Sequence, residues 1–252
     1  MSQRIQIPEA VIKIIKELEI HGYSAYLVGG YVRDKILNSD VNSTIAEDFD
    51  IATSATPEEI KNVFPNDKIF SYGERHGTVT LRRSRINYEI TTFREEEGYS
   101  DGRRPDNVTF IRDLTTDLAR RDFTVNAFAL EMDGSIIDHF DGLADLENKL
   151  IRAVGDPVKR LQEDSLRIFR AIRFAVKLGF NIEEDTKKAI LDNRHLILEH
   201  ELSGERIFSE LNGILKNLPR GVMLLHDLGL LPILFSDYST YANIDWLFRL
   251  LK

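Results

Sequence analysis

The sequence contains no cysteine. Disulfide bridges and thiolate metal sites are therefore excluded, and the chain suits a reducing compartment. There is no internal repeat and no low-complexity tract. No apolar run approaches the roughly 20 residues needed to cross a bilayer. The opening MSQRIQIPEAVIKII lacks the basic-then-apolar pattern of a secretion signal. An excess of positive charge is also missing: 33 Lys and Arg stand against 41 Asp and Glu, a formal net charge of −8. A simple basic nucleic-acid binder is thereby disfavoured. These absences lead to the expectation of a cytoplasmic protein with no targeting segment and no membrane partner.

What is present has the balance of an ordinary soluble globular protein, with 42% hydrophobic and 29% charged residues. A chain of 252 residues can build one large domain or two modest ones. Charge is unevenly spread. Nine arginines crowd residues 82–121, and more return in 160–173. Such local positive surface suits an anionic ligand, although most charge runs are simply solvated faces.

Periodicity and punctuation divide the chain. IPEAVIKIIKELEIHG reads as an amphipathic helix with Pro8 near its first turn and Gly22 at its end. AYLVGG is a short strand running into a glycine turn, YVRDKIL a helix start, and DFDIAT a second strand. TPEEIKNVF carries an N-cap threonine, Thr56, followed by Pro57. GTVTL and INYEITTF, joined by RRSR, form a hairpin. REEEGYSDGRRPDNVTF has no period and reads as a long loop, LTTDLARRDFTVNAFAL as a helix, and SIIDHFDG as a short strand and turn. Beyond Asp145 the chain reads as helix after helix. The expected architecture is a mixed-sheet α/β (α+β) head over residues 1–144 and an all-α region over 145–252.

Alternate residues of a strand share a face, so Asp48 and Asp50 point one way while Phe49 and Ile51 face the core. Two carboxylates a strand-step apart suit hard cations such as Mg²⁺ in phosphoryl or nucleotidyl transfer. Alone, Asp-x-Asp is more often a solvent-facing acidic strand end. Gly29-Gly30, between a strand and a helix, adds a backbone that closes on phosphate oxygens, with Arg33 one turn further on. Asp34 either orients Arg33 or pairs with another base. A phosphate cradle and an acid pair within one βαβ length together suggest a nucleoside triphosphate. Glu89, in the alternating run NYEITTF, is either a third metal ligand or an exposed strand glutamate.

Asp164, Arg167, Arg170 and Arg173 recur every three residues and are expected to form a ridge along one helix. Leu161, Ile168, Ile172 and Ala175 would form its opposite, core face. Taken alone, that segment is a surface helix laced with ion pairs. His226-Asp227 is reminiscent of a metal phosphohydrolase pair but lacks the further spaced ligands.

These stretches resemble a known family. GGYVRD…EDFDIATSA, TTFREEEGYSDGRRPDNVTF, DLARRDFTVNAFAL, DGLADLENKLIRAVGDP, EDSLRIFRAIRFA and SGERIFSEL are similar, in unbroken order over about residues 23–215, to the motifs of class II CCA-adding tRNA nucleotidyltransferases. These belong, with bacterial poly(A) polymerases, to the polymerase-β-like nucleotidyltransferase superfamily. The resemblance implies a nucleotidyltransferase head followed by a helical neck and partial body. It implies that Asp48 and Asp50 hold catalytic Mg²⁺ and that Gly30 and Arg33 hold the triphosphate. It further implies that Arg121, with Asp164, Arg167, Arg170 and Arg173, forms the nucleotide pocket. The partners implied are CTP, ATP and the 3′ end of tRNA, with no DNA. Two departures stand out, Leu37-Asn38 where Leu-Gly is usual and a longer SDVNSTIAE stretch, and both affect loop geometry rather than chemistry. The family usually continues into further helical domains, so a portion of a longer enzyme and a naturally short one both remain open. So does the oligomeric state.

An Asp-Arg pair has a chemical use in such a pocket. Cytosine and adenine both present an amino donor beside an unprotonated ring nitrogen, matching a carboxylate acceptor and a guanidinium donor. Uracil and guanine present the reverse order. Rival readings are a poly(A) polymerase, a CC-adding or A-adding specialist, and a catalytically dead RNA-binding homologue. FSYGERHGTVTL lacks the Gly-Arg/Lys-Arg/Lys-Phe signature of the poly(A) branch, and the long loop counts against a CC-only enzyme.

Overall fold

The computed structural model describes residues 4–37, 48–99, 102, 105–200 and 202–234, with only the backbone of Asp48. The chain divides into two compact units, residues 1–97 with 107–146, and residues 98–106 with 147–252.

In the first unit the elements are α1 (Glu9–Ile20), β1 (Ala25–Val28), α2 (Gly30–Leu37), β2 (Asp48–Thr53), α3 (Pro57–Val63), β3 (Lys68–Gly73), β4 (Thr78–Arg83) and β5 (Ile86–Thr92). There follow β6 (Arg94–Glu97), β7 (Asn107–Phe110), α4 (Leu114–Ala119), β8 (Phe128–Leu130), β9 (Ile136–Asp138) and α5 (Gly142–Glu147), the last spanning the expected 144/145 boundary. A mixed sheet of seven strands runs in the order β3-β4-β5-β2-β1-β8-β9, with β2 and β5 parallel and the other neighbours antiparallel.

The sheet's two faces differ because the strand alternation differs. Phe49, Ile51, Leu81, Tyr88 and Ile90 point to one face and are buried. Helix α1 packs on β1 and β2 and buries Val11, Ile14, Ile15 and Leu18. On the other face, Val28, Ala52 and Ala129 meet Phe93 and Leu118, the last from α4, in a second apolar cluster. That cluster leaves Asp50 and Glu89 exposed. Helix α3 starts on a capping box in which Thr56 and Glu59 bond each other's backbone N–H.

Three segments fold differently from what their sequence suggests. The ends of REEEGYSDGRRPDNVTF are not loop: β6 and β7 pair as an antiparallel ribbon, Arg94 opposite Phe110. Its alternation is polar rather than apolar, because Arg94 is engaged by Glu96 at 2.7 Å and its backbone by Asp117. LTTDLARRDFTVNAFAL is α-helical only over Leu114–Ala119; Asp122 bonds the Phe123 N–H at 2.8 Å, Thr124–Asn126 makes a single 3-10 turn, and the buried run Phe128–Leu130 then enters the sheet. The turn of the β4–β5 hairpin is Ser84-Arg85 alone, both with positive φ, while Arg82 and Arg83 belong to the strand.

The second unit contains β10 (Leu150–Ile151), α6 (Pro157–Glu163), α7 (Leu166–Leu178), β11 (Asn181–Ile182), α8 (Glu184–Asn193), α9 (Leu196–Glu199), α10 (Gly204–Ile214), α11 (Leu218–Asp227) and α12 (Leu231–Leu234). It is helical apart from the short parallel pair β10–β11. Helix α7 is its centre, with Ile168, Ile172 and Ala175 fully buried and α10 and α11 packed on it. Among the described residues, no helix is long and apolar enough to cross a membrane.

Candidate active site

The β1–α2 turn and β2 meet at Asp50. Val28 lies opposite Asp50 in the antiparallel ladder, so the glycine turn that follows β1 passes beside the carboxylate. Gly29 has φ +76°, and a Cβ there would sit 2.5 Å from Asp50 Oδ2. The left-handed backbone is what calls for glycine here, and the short distance shows how closely the turn passes the Asp50 carboxylate. Gly30 opens α2, and a Cβ there would meet Arg33 Nη2 at 3.3 Å.

Arg33 is buried at 3% exposure, which only fixed partners make tolerable. Its Nε donates to Asp34 Oδ1 at 2.7 Å and its Nη1 to Asn126 Oδ1 at 2.6 Å. Asp34 therefore orients Arg33. Asn126 is a residue that sequence reasoning missed, although the RRDFTVNAFAL motif contains it. Its Nδ2 donates to Asp122 Oδ1 at 3.2 Å, which fixes the amide.

Arg121 lies in the same unit, and its side chain is 17% exposed. Its contacts are long, with Asp117 Oδ2 at 3.4 Å and the Asn126 carbonyl at 3.5 Å. Its buried Nε has no hydrogen-bond partner. Burial pushes this guanidinium below the ordinary arginine range, while Asp117 and Asp50 draw it back. That Nε–H is a buried donor with capacity for one more acceptor.

Asp50 and Glu89 are directly paired across β2 and β5, as are Asp48 and Asn87. The hard carboxylate oxygens on this face fit a hard divalent cation. Among the described side chains no three His, Cys, Asp or Glu groups gather to hold a metal, and the Asp48 side chain lies outside them.

In the second unit the expected ridge of four residues along one helix is not found. Asp164 falls between α6 and α7 with extended backbone, φ −146° and ψ 102°, and Leu161 belongs to the preceding helix. The break arises because Asp164 caps α7, its Oδ1 accepting from the Leu166 N–H at 3.0 Å. Its other oxygen takes Arg206 Nη2 at 2.8 Å. Arg167 is not on an outer face either. It is buried, with Nη1 donating to Glu163 Oε2 at 2.7 Å and to the Arg160 carbonyl at 2.8 Å.

Arg170 and Arg173 turn instead to Glu210. Arg173 Nε bonds its Oε2 at 2.5 Å, and Arg170 Nη1 lies 4.0 Å from Oε1. Both guanidinium groups lie over the Phe174 ring, at 4.4 Å for Arg173 and 5.5 Å for Arg170. Beside Asp164, Ser165 Oγ and Arg206 Nη1 are buried without partners. Arg206 and Glu210 went unread in the sequence, although SGERIFSEL spaces them one helical turn apart. His226 and Asp227 are exposed and pair only at 3.1 Å, so they form no buried centre.

The family model described as "Poly A polymerase head domain" matches residues 25–152. The chain belongs to the poly A polymerase head-domain family. A second model, "Probable RNA and SrmB- binding site of polymerase A", matches residues 179–241. The resemblance drawn from the motifs is borne out at this level, and so is the nucleotidyltransferase fold.

A curated CCA-adding enzyme from Lactobacillus johnsonii is 52% identical over 201 residues, 80% of this chain and 48% of that protein. The crystal structure of the Bacillus stearothermophilus CCA-adding enzyme in complex with CTP superposes with TM-score 0.79 at 40% identity, covering 96% of this chain and 56% of that one. A tRNA nucleotidyltransferase complexed with a primer tRNA and an incoming ATP analog gives TM-score 0.73 at 26% identity, covering 92% and 65%. The present family member spans about half the length of the curated relatives it matches.

Proposed function

We propose that this chain is the catalytic part of a cytoplasmic, template-independent nucleotidyltransferase that adds C and A from CTP and ATP to the 3′ end of tRNA. The observation that carries the reading is the fit of Gly29 against Asp50. It sets a sheet carboxylate at the mouth of a glycine turn whose helix carries a fixed arginine. The similarity to CCA-adding enzymes, one bound to CTP and another tRNA nucleotidyltransferase bound to a primer tRNA, supports it.

Asp48 and Asp50 would hold Mg²⁺. Bound there, Mg²⁺ would stabilise charge on the transferred phosphoryl group and acidify the attacking hydroxyl. Arg33, braced by Asp34 and Asn126, would set positive charge beside the triphosphate, and the open Nε–H of Arg121 would offer it a donor. Backbone N–H groups at the Gly29-Gly30 turn add to this cradle. The terminal ribose 3′-oxygen attacks the α-phosphorus in line. The bond to the α–β bridging oxygen breaks, and pyrophosphate leaves with its charge facing the arginines.

Base choice falls to the second unit. Asp164, held by Arg206, accepts from the amino group of cytosine or adenine, and Arg167, held by Glu163, donates to the adjacent ring nitrogen. Arg170 and Arg173, in the same unit, would add positive charge for an anionic ligand. Uracil and guanine would place a carbonyl against Asp164 and an N–H against Arg167, which both repel.

The reading is tested by incubating the protein with Mg²⁺, a tRNA lacking its CCA end and each labelled nucleotide in turn. CTP is incorporated first and ATP after it, with UTP and GTP excluded. No incorporation from any nucleotide overturns the proposal, and long A tracts on unrelated RNA assign the chain to the poly(A) branch instead.

A further inference from the structure

The acid-bearing face of the sheet continues past the acids. Ladder partners carry one row from Asp50 to Glu89, Thr80 and Phe70, across β2, β5, β4 and β3. The next row runs Asp48, Asn87, Arg82, Lys68. Paired residues project to the same face, so Lys68 and Phe70 on edge strand β3 share the side on which Asp50 lies. Three strand spacings of about 4.8 Å put Phe70 about 14 Å from Asp50.

Register shifts at a bulge after Phe70. Tyr72 nevertheless lies beside Phe70, the two rings stacking at 6.1 Å between centroids and 13° between planes. The Lys68 ammonium sits 4.9 Å over the Phe70 ring. Tyr72 is 93% exposed, and Lys68 and Arg82 are exposed as well. A tyrosine so exposed adds almost nothing to the core, so folding does not account for it.

Near-parallel aromatic rings flanked by cations stack unpaired bases and neutralise the phosphates between them. Two acids nearby in sequence are engaged by other bases: Asp67 is held by Arg83 and Glu74 by Lys61, each at 2.6 Å. On a chain of net charge −8, this positive aromatic stripe favours a polyanion over a protein surface like its own.

We propose that Lys68, Phe70 and Tyr72, with Arg82, form a stacking platform for unpaired RNA, receiving bases upstream of the 3′ end addressed by the acids. The proposal rests on the reading of this chain as an RNA 3′-end transferase.

The test is fluorescence anisotropy with a labelled single-stranded RNA of about 12 nucleotides, within the site sizes of such platforms. Tyr72→Leu, which keeps apolar bulk but not the ring, weakens binding about tenfold, whereas Tyr72→Phe stays within about twofold. Lys68→Ala flattens the salt dependence. CMP transfer by the unaltered protein to tRNA lacking CCA is measured alongside. If transfer is absent while RNA binding is lost in Tyr72→Leu, the transferase reading fails and the stripe stands as an RNA-binding surface alone. No RNA binding by the unaltered protein, equal affinity in Tyr72→Leu, or equal losses in Leu and Phe variants overturns the platform. So does a dimer that Tyr72→Leu dissociates while RNA affinity holds, which would make the stripe a protein interface.

Discussion

The two units position their polar groups by different means. In the sheet unit the backbone places the acids, although Arg33 there is held by side chains. Ladder register sets Asp50 opposite Glu89, and a glycine in the left-handed region brings the turn against the Asp50 carboxylate. In the helical unit side chains hold one another: Glu163 with Arg167, Arg206 with Asp164, Glu210 with Arg173. Backbone-set groups are separable from stability, because removing one leaves no buried charge behind. Groups set by buried ion pairs are not, because each is its neighbour's counter-charge.

That contrast is sharpest at Asp50. Asp50→Ala is expected to cut nucleotide transfer by at least about 10³-fold, the worth of several kcal/mol of charge stabilisation. Its denaturant midpoint should match the unaltered protein, since an exposed strand acid supports little of the fold. A large loss of stability would break the comparison. Glu163→Ala should behave in the opposite way. It strips Arg160 and Arg167 of a shared buried carboxylate, and urea unfolding should show a loss of about 3 kcal/mol. A smallest effect serves as the control. Thr56→Ala removes one half of the α3 capping box, costing about 1 kcal/mol in the same assay while leaving transfer rates intact.

The sheet unit was the more legible in sequence for the same reason. The glycine pair, Asp-x-Asp alternation and Thr-Pro cap are local signals, and β1, α2, β2 and α3 stand where they place them. Elements whose logic is not local were missed. Phe128–Leu130 is a continuous buried run that carries no period, so it could not be told from a helix. Strand β6 carries a charge at every position and shows no apolar alternation, and its half-buried Arg94 is held by Glu96 and the His76 carbonyl. Arg33 was readable, but its brace on Asn126 joins positions 93 residues apart. In the helical unit, three-residue spacing suggested one ridge, whereas Asp164 ends one helix and caps the next. Its partner Arg206 lies 42 residues away, beyond any spacing rule.

The central claim is that the sheet unit performs the chemistry while the helical unit chooses the base. The ratio of CTP to UTP incorporation efficiency tests it most directly, measured for Asp164→Ala and Arg167→Ala beside the unaltered protein. Arg167→Ala should weaken CTP and ATP alike, by about 1–3 kcal/mol, the worth of a base-edge contact. Asp164→Ala removes the carboxylate proposed to repel the uracil carbonyl, so it should lower the rate with CTP and narrow the CTP-to-UTP gap. An unchanged ratio in both variants would contradict the account, whatever happened to overall activity.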